Sequence, residues 1–229
     1  MTLRAALEGK RVGVVLSAGY FGFYGHAGFV EALEQEGVEV AAWAGTSAGG
    51  LIAALRAAGV SNPAIRELLS TQRREHFWDP DYLGIAIDSV RKGHRSSGLL
   101  KGDQFRALIE KHLPVHRFEE LTVPLLLVAT NLTTESPVII TSGDLATAIH
   151  ATCAYPGLFQ AVRHDSGLLW DGGIVDKAGA SPNLCHRVFK ASRRLTSRLS
   201  QVAQWRQTSG SPHLRCELRS RQPAAGESR

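Results

Sequence analysis

Apolar residues fall into two kinds of segment along the chain. VGVVLSA at 12–18, VEVAAWAG at 38–45 and VPLLLVATNL from Val123 are short runs rich in Val, Leu and Ala, the composition of strands buried on both faces. The stretches between them carry apolar residues at helical spacing. HAGFVEALEQEG, His26 to Gly37, reads as a helix closed by its glycine, and AGGLIAALRAAG at 48–59 reads as a small-residue helix ending at Gly59. Strand, glycine loop, helix, strand, turn and helix in that order predict a parallel βαβ arrangement.

Downstream, Pro63 to Glu75 has helical character with Asn62 as N-cap, and residues 77–97 read as a loop-rich insertion. Gly102 to His112 is helical by the spacing of Phe105, Leu108 and Ile109, and Pro114 stops it. SPVIITSG suits a hairpin partner or neighbour of VPLLLVATNL. Asp144 is placed to cap a helix running to about Cys153, YPGLF reads as a turn, and GLLWDGG as a short strand entering a glycine turn. Val12 to Val30 lacks any Lys, Arg, Asp or Glu, yet its five glycines read as strand, tight loop and helix start, not as a membrane span.

Charge divides the chain. Of 26 Lys and Arg and 21 Asp and Glu, residues 179–229 hold 10 and 2, so this tail stands at +8 and residues 1–178 at −3. The net +5 therefore does not point to a nucleic-acid partner for the body, and none is expected. The expected organisation is a body over 1–178, stopping short of its last elements, and a basic tail over 179–229 that is irregular or helical. Leu184, Val188, Ala191, Leu195, Leu199, Val202 and Trp205 recur at threes and fours, which would suit a basic amphipathic helix on an anionic membrane. A solvated tail, or a frame-shifted sequence without selected structure, fits the abrupt change in composition better. Cys153, Cys185 and Cys216 form no CxxC pair and no metal-ligand spacing with histidine, and the N-terminus lacks an apolar signal run. A reducing, cytoplasmic setting is the expectation.

Three segments carry candidate chemistry. GTSAG at 45–49 sits between a buried strand and a small-residue helix, the context of a nucleophile elbow: Ser47 would stand at the apex, with Gly45 and Gly49 removing side chains from the turn and the helix aiming its first amides at a developing oxyanion. A small-residue packing turn is the bland alternative. SAGYFGFYGHAG at 17–28 can cradle an anion with backbone N–H groups; a dinucleotide loop competes, although GxGxxG is absent and Tyr20, Phe21 and Phe23 would crowd a pyrophosphate. WDGG at 170–173 puts Asp171 at a strand end before Gly172 and Gly173, either as a solvated turn residue or as the base that takes the Ser47 proton. His186 and His213 alone follow Asp171, so a Ser-His-Asp order is not expected, and His26 reads as a capping or core residue.

In order and spacing these segments, with ATCAYPGLFQAV at 151–162, resemble the patatin-like phospholipases over roughly residues 12–178. The resemblance implies a three-layer α/β/α fold with a mainly parallel central sheet, Ser47 as nucleophile, Asp171 as its base, and the amides around Gly19, Tyr20, Phe21 and Gly22 as oxyanion hole. It also implies a lipid acyl hydrolase of phospholipase A or lysophospholipase type, with fatty acyl ester substrates, peripheral membrane contact, and neither metal nor cofactor. The loop departs from the family pattern in having no arginine among residues 17–25. The competing reading is a non-catalytic, truncated protein of this type that at most binds lipid.

Overall fold

The computed structural model describes residues 3–84, 86 and 98–175, together with the backbone of 203–206 and 216–220. A short helix α1 (Leu3–Leu7) precedes the predicted unit of β1 (Arg11–Leu16), α2 (Phe23–Gln35), β2 (Val40–Thr46) and α3 (Ala48–Ala57). Then follow α4 (Asn62–Thr71), β3 (Gly98–Leu100), α5 (Asp103–His112), β4 (Leu125–Asn131), β5 (Ser136–Ile140), α6 (Leu145–Cys153), β6 (Gly157–Phe159), β7 (Val162–His164) and β8 (Gly167–Asp171). Two strands of the tail, β9 (Ala203–Arg206) and β10 (Cys216–Ser220), complete the set.

The fold is α/β, with a parallel centre and antiparallel margins. β1 pairs in parallel with β2, and β2 with β4. All seven residues of β4 are buried, so both of its faces are covered. α3 packs on β1, β2 and β4, and α6 on β4 and β8. Nine of the ten residues of α3 are buried, which makes it the central helix. Its alanines and glycines let it lie close to the strands, while Leu51, Ile52 and Leu55 each contribute about 1.5–3 kcal/mol of burial.

The registers around β4 decide where the chain ends meet. Trp43 to Thr46 of β2 lie opposite Leu125 to Val128, whereas Asp171 to Leu169 of β8 lie opposite Ala129 to Asn131. β5 pairs with the whole span from Leu127 to Asn131. A strand residue has one neighbour on each side, so β5 occupies one edge of β4 and β2 and β8 follow each other along the other. β2 leaves that edge at Thr46, and β8 runs up to the vacated position from the opposite direction.

Several elements differ from the sequence expectations. The N-cap of α4 is Ser61, whose side chain accepts from the Ala64 N–H; Asn62 is instead buried and donates to Glu34 of α2. α4 ends at Thr71, and 74–76 forms a separate 3-10 turn. Gly157 to Phe159, within the predicted turn, is a strand because β3 offers it a parallel partner. The predicted cap holds at α6, where Asp144 accepts from the Thr147 N–H at 2.7 Å. In the tail, Ala203–Arg206 and Cys216–Ser220 are strands, neither helical nor irregular. β10 joins the open edge of β1 antiparallel and β9 joins β10, so backbone pairing at a sheet edge overrides the helical spacing at Trp205. The boundary at 178 and the rest of the proposed amphipathic helix lie outside the described residues, as do residues 87–97 of the insertion.

Candidate active site

The turn between β2 and α3 is built around one residue in an unusual conformation. Ser47 has φ 53° and ψ −125°, a region that costs a residue with a side chain about 1–3 kcal/mol and persists only where its surroundings impose it. The surroundings are a backbone crossing. A Cβ on Gly49 would lie 2.4 Å from the Leu16 carbonyl oxygen at the end of β1, and one on Gly45 would strike the Gly49 carbonyl. Both positions exclude any side chain, which is the physical content of the GxSxG spacing.

Asp171 reaches this turn from the other end of the chain. Thr46 sits opposite Val128 and Asp171 opposite Ala129, so the shared edge of β4 delivers the two strand ends to adjacent positions. The Ser47 hydroxyl donates to Asp171 Oδ2 at 2.6 Å, and the Gly173 N–H donates to Oδ1 at 2.7 Å. Gly172 permits the approach, since a Cβ there would lie 2.2 Å from the Val128 carbonyl oxygen; one on Gly173 would press on the Ala18 methyl. Asp171 is only 4% exposed. Burial raises its pKa above the ordinary carboxylate value, and the hydrogen bonds from Ser47 and Gly173 only partly offset this. A buried carboxylate of this kind is a stronger proton acceptor than one in water.

The glycine-aromatic loop closes the third side. Gly19 is extended, Tyr20 to Gly22 form a 3-10 turn, and the Gly22 N–H bonds to the Gly19 carbonyl, which turns that amide into the loop. His26 donates from Nε2 to the Ser17 carbonyl at 2.9 Å, and its burial lowers its pKa. It anchors the loop, and among the described residues the Ser47–Asp171 hydrogen bond does not involve it. Tyr20 and Phe21 are 67% and 76% exposed, and the Tyr20 ring lies 4.9 Å from that of Tyr155.

The profile of the patatin-like phospholipases matches residues 14–184. The chain belongs to this family. An uncharacterized NTE family protein of Mycobacterium tuberculosis is 28% identical over 172 residues, covering 75% of this chain and 45% of that protein. Patatin-like phospholipase domain-containing protein 6 of Mus musculus is 26% identical over 180 residues, covering 78% and 13%. VipD from Legionella pneumophila superposes with a TM-score of 0.48 at 19% identity, over 72% of this chain and 46% of that one. The chain spans less than half the length of these relatives.

The span matched by the patatin-like profile encloses the glycine loop, the elbow and the aspartate turn. Sequence reasoning missed Thr152, Cys153 and Tyr155, which the structure places around the elbow and loop. All three lie in ATCAYPGLFQAV, a segment that carries the family resemblance without marking which of its residues face the elbow. Among the described residues, no helix is long and apolar enough to cross a membrane.

Proposed function

We propose that this patatin-like protein is a lipid acyl hydrolase, of phospholipase A or lysophospholipase type, working through a Ser47–Asp171 dyad. The observation that carries the reading is the 2.6 Å hydrogen bond from the Ser47 hydroxyl to a buried carboxylate, made from a strained elbow. Asp171 takes the hydroxyl proton as Ser47 Oγ bonds to the ester carbonyl carbon. The carbonyl electrons move onto oxygen, where amides of the loop at Gly19, Tyr20 and Phe21 stabilise the oxyanion. Gly22 contributes to that loop by closing its turn. Collapse expels the alcohol, which leaves with the proton from Asp171. Water then attacks the acyl-serine, again giving a proton to Asp171, and Ser47 recovers it as the fatty acid departs. Each oxyanion donor contributes about 10²–10³-fold in rate. The exposed Tyr20 and Phe21 and the nearby Tyr155 favour an apolar acyl chain over a polar substituent at the mouth.

The test is hydrolysis of p-nitrophenyl acyl esters together with fluorophosphonate labelling. Wild type should turn over the esters and label at Ser47; Ser47→Ala should do neither. Ester hydrolysis by Ser47→Ala at the wild-type rate would overturn the dyad. Absence of labelling in folded wild-type protein would favour a non-catalytic lipid binder.

A further inference from the structure

Three successive residues at the end of α6 hold both members of the pair. Thr152 Oγ1 accepts from the Ser47 N–H at 2.9 Å and donates its own proton to the Val128 carbonyl of β4. Cys153 Sγ lies 3.3 Å from the Ser47 carbonyl and donates to it. The Ala154 carbonyl accepts from the Asp171 N–H at 2.9 Å. Thr152 and Ala154 are fully buried, so water cannot replace these bonds. A hydroxyl has one proton, and here it is committed to Val128. Thr152 therefore meets Ser47 only as an acceptor. The Thr152 methyl also fills the space beside Gly50, where a Cβ would lie 2.9 Å from it. Burial keeps Cys153 a thiol, and the charge of Asp171 adds to that effect.

We propose that Thr152-Cys153-Ala154 is a positioning bracket that sets the distance between the Ser47 hydroxyl and the Asp171 carboxylate. The proposal rests on the dyad reading given above. The elbow and the aspartate turn belong to segments 124 residues apart, and this short stretch contacts the backbone of both. It holds the N–H and C=O on the two sides of Ser47, and so fixes the peptide orientation that its strained φ and ψ require. The Ser47 N–H is consumed in this role, which assigns oxyanion stabilisation to other amides.

Thr152→Val removes the hydroxyl at constant shape, and Thr152→Ser keeps it. Thr152→Val should lower kcat by about 10²-fold, the effect of a displacement near 1 Å, with KM unchanged. It should also accelerate hydrogen exchange at the Ser47 amide. Thr152→Ser should keep kcat within about threefold of wild type even though its melting temperature falls with the lost methyl. A role in folding alone would instead make kcat follow the melting temperature. Should Thr152→Val not fold, Cys153→Ala serves, with a kcat loss of about three- to tenfold and KM unchanged. Wild-type kcat in folded Thr152→Val, or in Cys153→Ala in its place, would overturn the bracket and leave the dyad intact. A folded wild type that neither hydrolyses esters nor labels would remove both.

Discussion

Around Ser47 the elbow wall and the loop wall are made of opposite materials. Gly45, Thr46, Gly49, Gly50 and Thr152 on the first are small and buried, whereas Tyr20, Phe21 and Tyr155 on the second are aromatic and exposed. On the elbow wall, backbones touch through absent side chains, so a single methyl has nowhere to go. The loop wall spends its side chains on the solvent surface and on each other. Precision in placing Ser47 is thus separated from the exposed apolar surface beside it.

The largest effect expected on this contrast is that of Asp171→Asn, which should lower esterase activity by about 10⁴-fold or more. It should not lower stability. The folded-state pKa of Asp171 is raised, so this group stabilises the fold most when protonated and that contribution is lost as pH rises through its folded pKa. Melting temperatures at pH 8 should therefore be equal or higher for Asp171→Asn, the gap closing on acidification. The same raised pKa should move the acidic limb of the esterase activity upward in pH relative to that of an ordinary aspartate.

Next in size is Gly49→Ala, whose Cβ meets backbone at 2.4 Å. Overpacking against backbone should cost about 3 kcal/mol or more and abolish activity. Gly28→Ala is its control: Gly28 is an exposed position of α2 with no atom within 4 Å of an added Cβ, so chemical denaturation should show a gain of about 0.5–1 kcal/mol.

Acid should weaken the fold through α6, the helix that carries Thr152. His150 of α6 is buried against Phe105 and Phe159, its Nε2 has no partner among the described residues, and burial pushes its pKa down from 6.5 to about 4. The unfolded chain takes up this proton first as pH falls, so stability should decline from about pH 6.5 and level off near pH 4. The total is roughly 3 kcal/mol, because each tenfold difference in proton affinity between the folded and unfolded chain is worth about 1.4 kcal/mol. His150→Phe should flatten that part of the pH–stability curve. The smallest effect belongs to the loop wall. Phe21→Ala should leave the melting temperature within about 1 °C and raise KM a few-fold for long-chain esters but not for acetate; a loss of stability as large as that of Gly49→Ala would erase the contrast.

Much of the first wall was legible because it is local. β1, the glycine loop, α2, β2 and the elbow follow one another within residues 11–57, and strand-buried runs, glycines and a serine between them carry their own geometry. Asp171 was legible as a strand-end aspartate and, through the order of the three segments, as a candidate partner for Ser47, but the solvated-turn alternative stayed open, because the contact depends on β2 and β8 sharing one edge of β4. Asn62 shows the same limit on a small scale: as a cap candidate it is as good as Ser61, and only Glu34 of a neighbouring helix draws it away. At Trp205 the apolar spacing supports a helix, and the partner edge of β1, reached through β10, makes a strand instead.

By itself, the sequence determined the α/β order, the buried strands, the small central helix and the three segments that hold the candidate chemistry. Each depends on contacts within a few residues or on a period that residue types display directly. The tertiary structure alone decided the Ser47–Asp171 distance, the use of the Ser47 N–H by Thr152, and the capture of Asp171 by Ala154. Those are pairings between distant backbones, set by which sheet edge is free and how closely glycine lets two chains approach, and no local pattern of side chains encodes them.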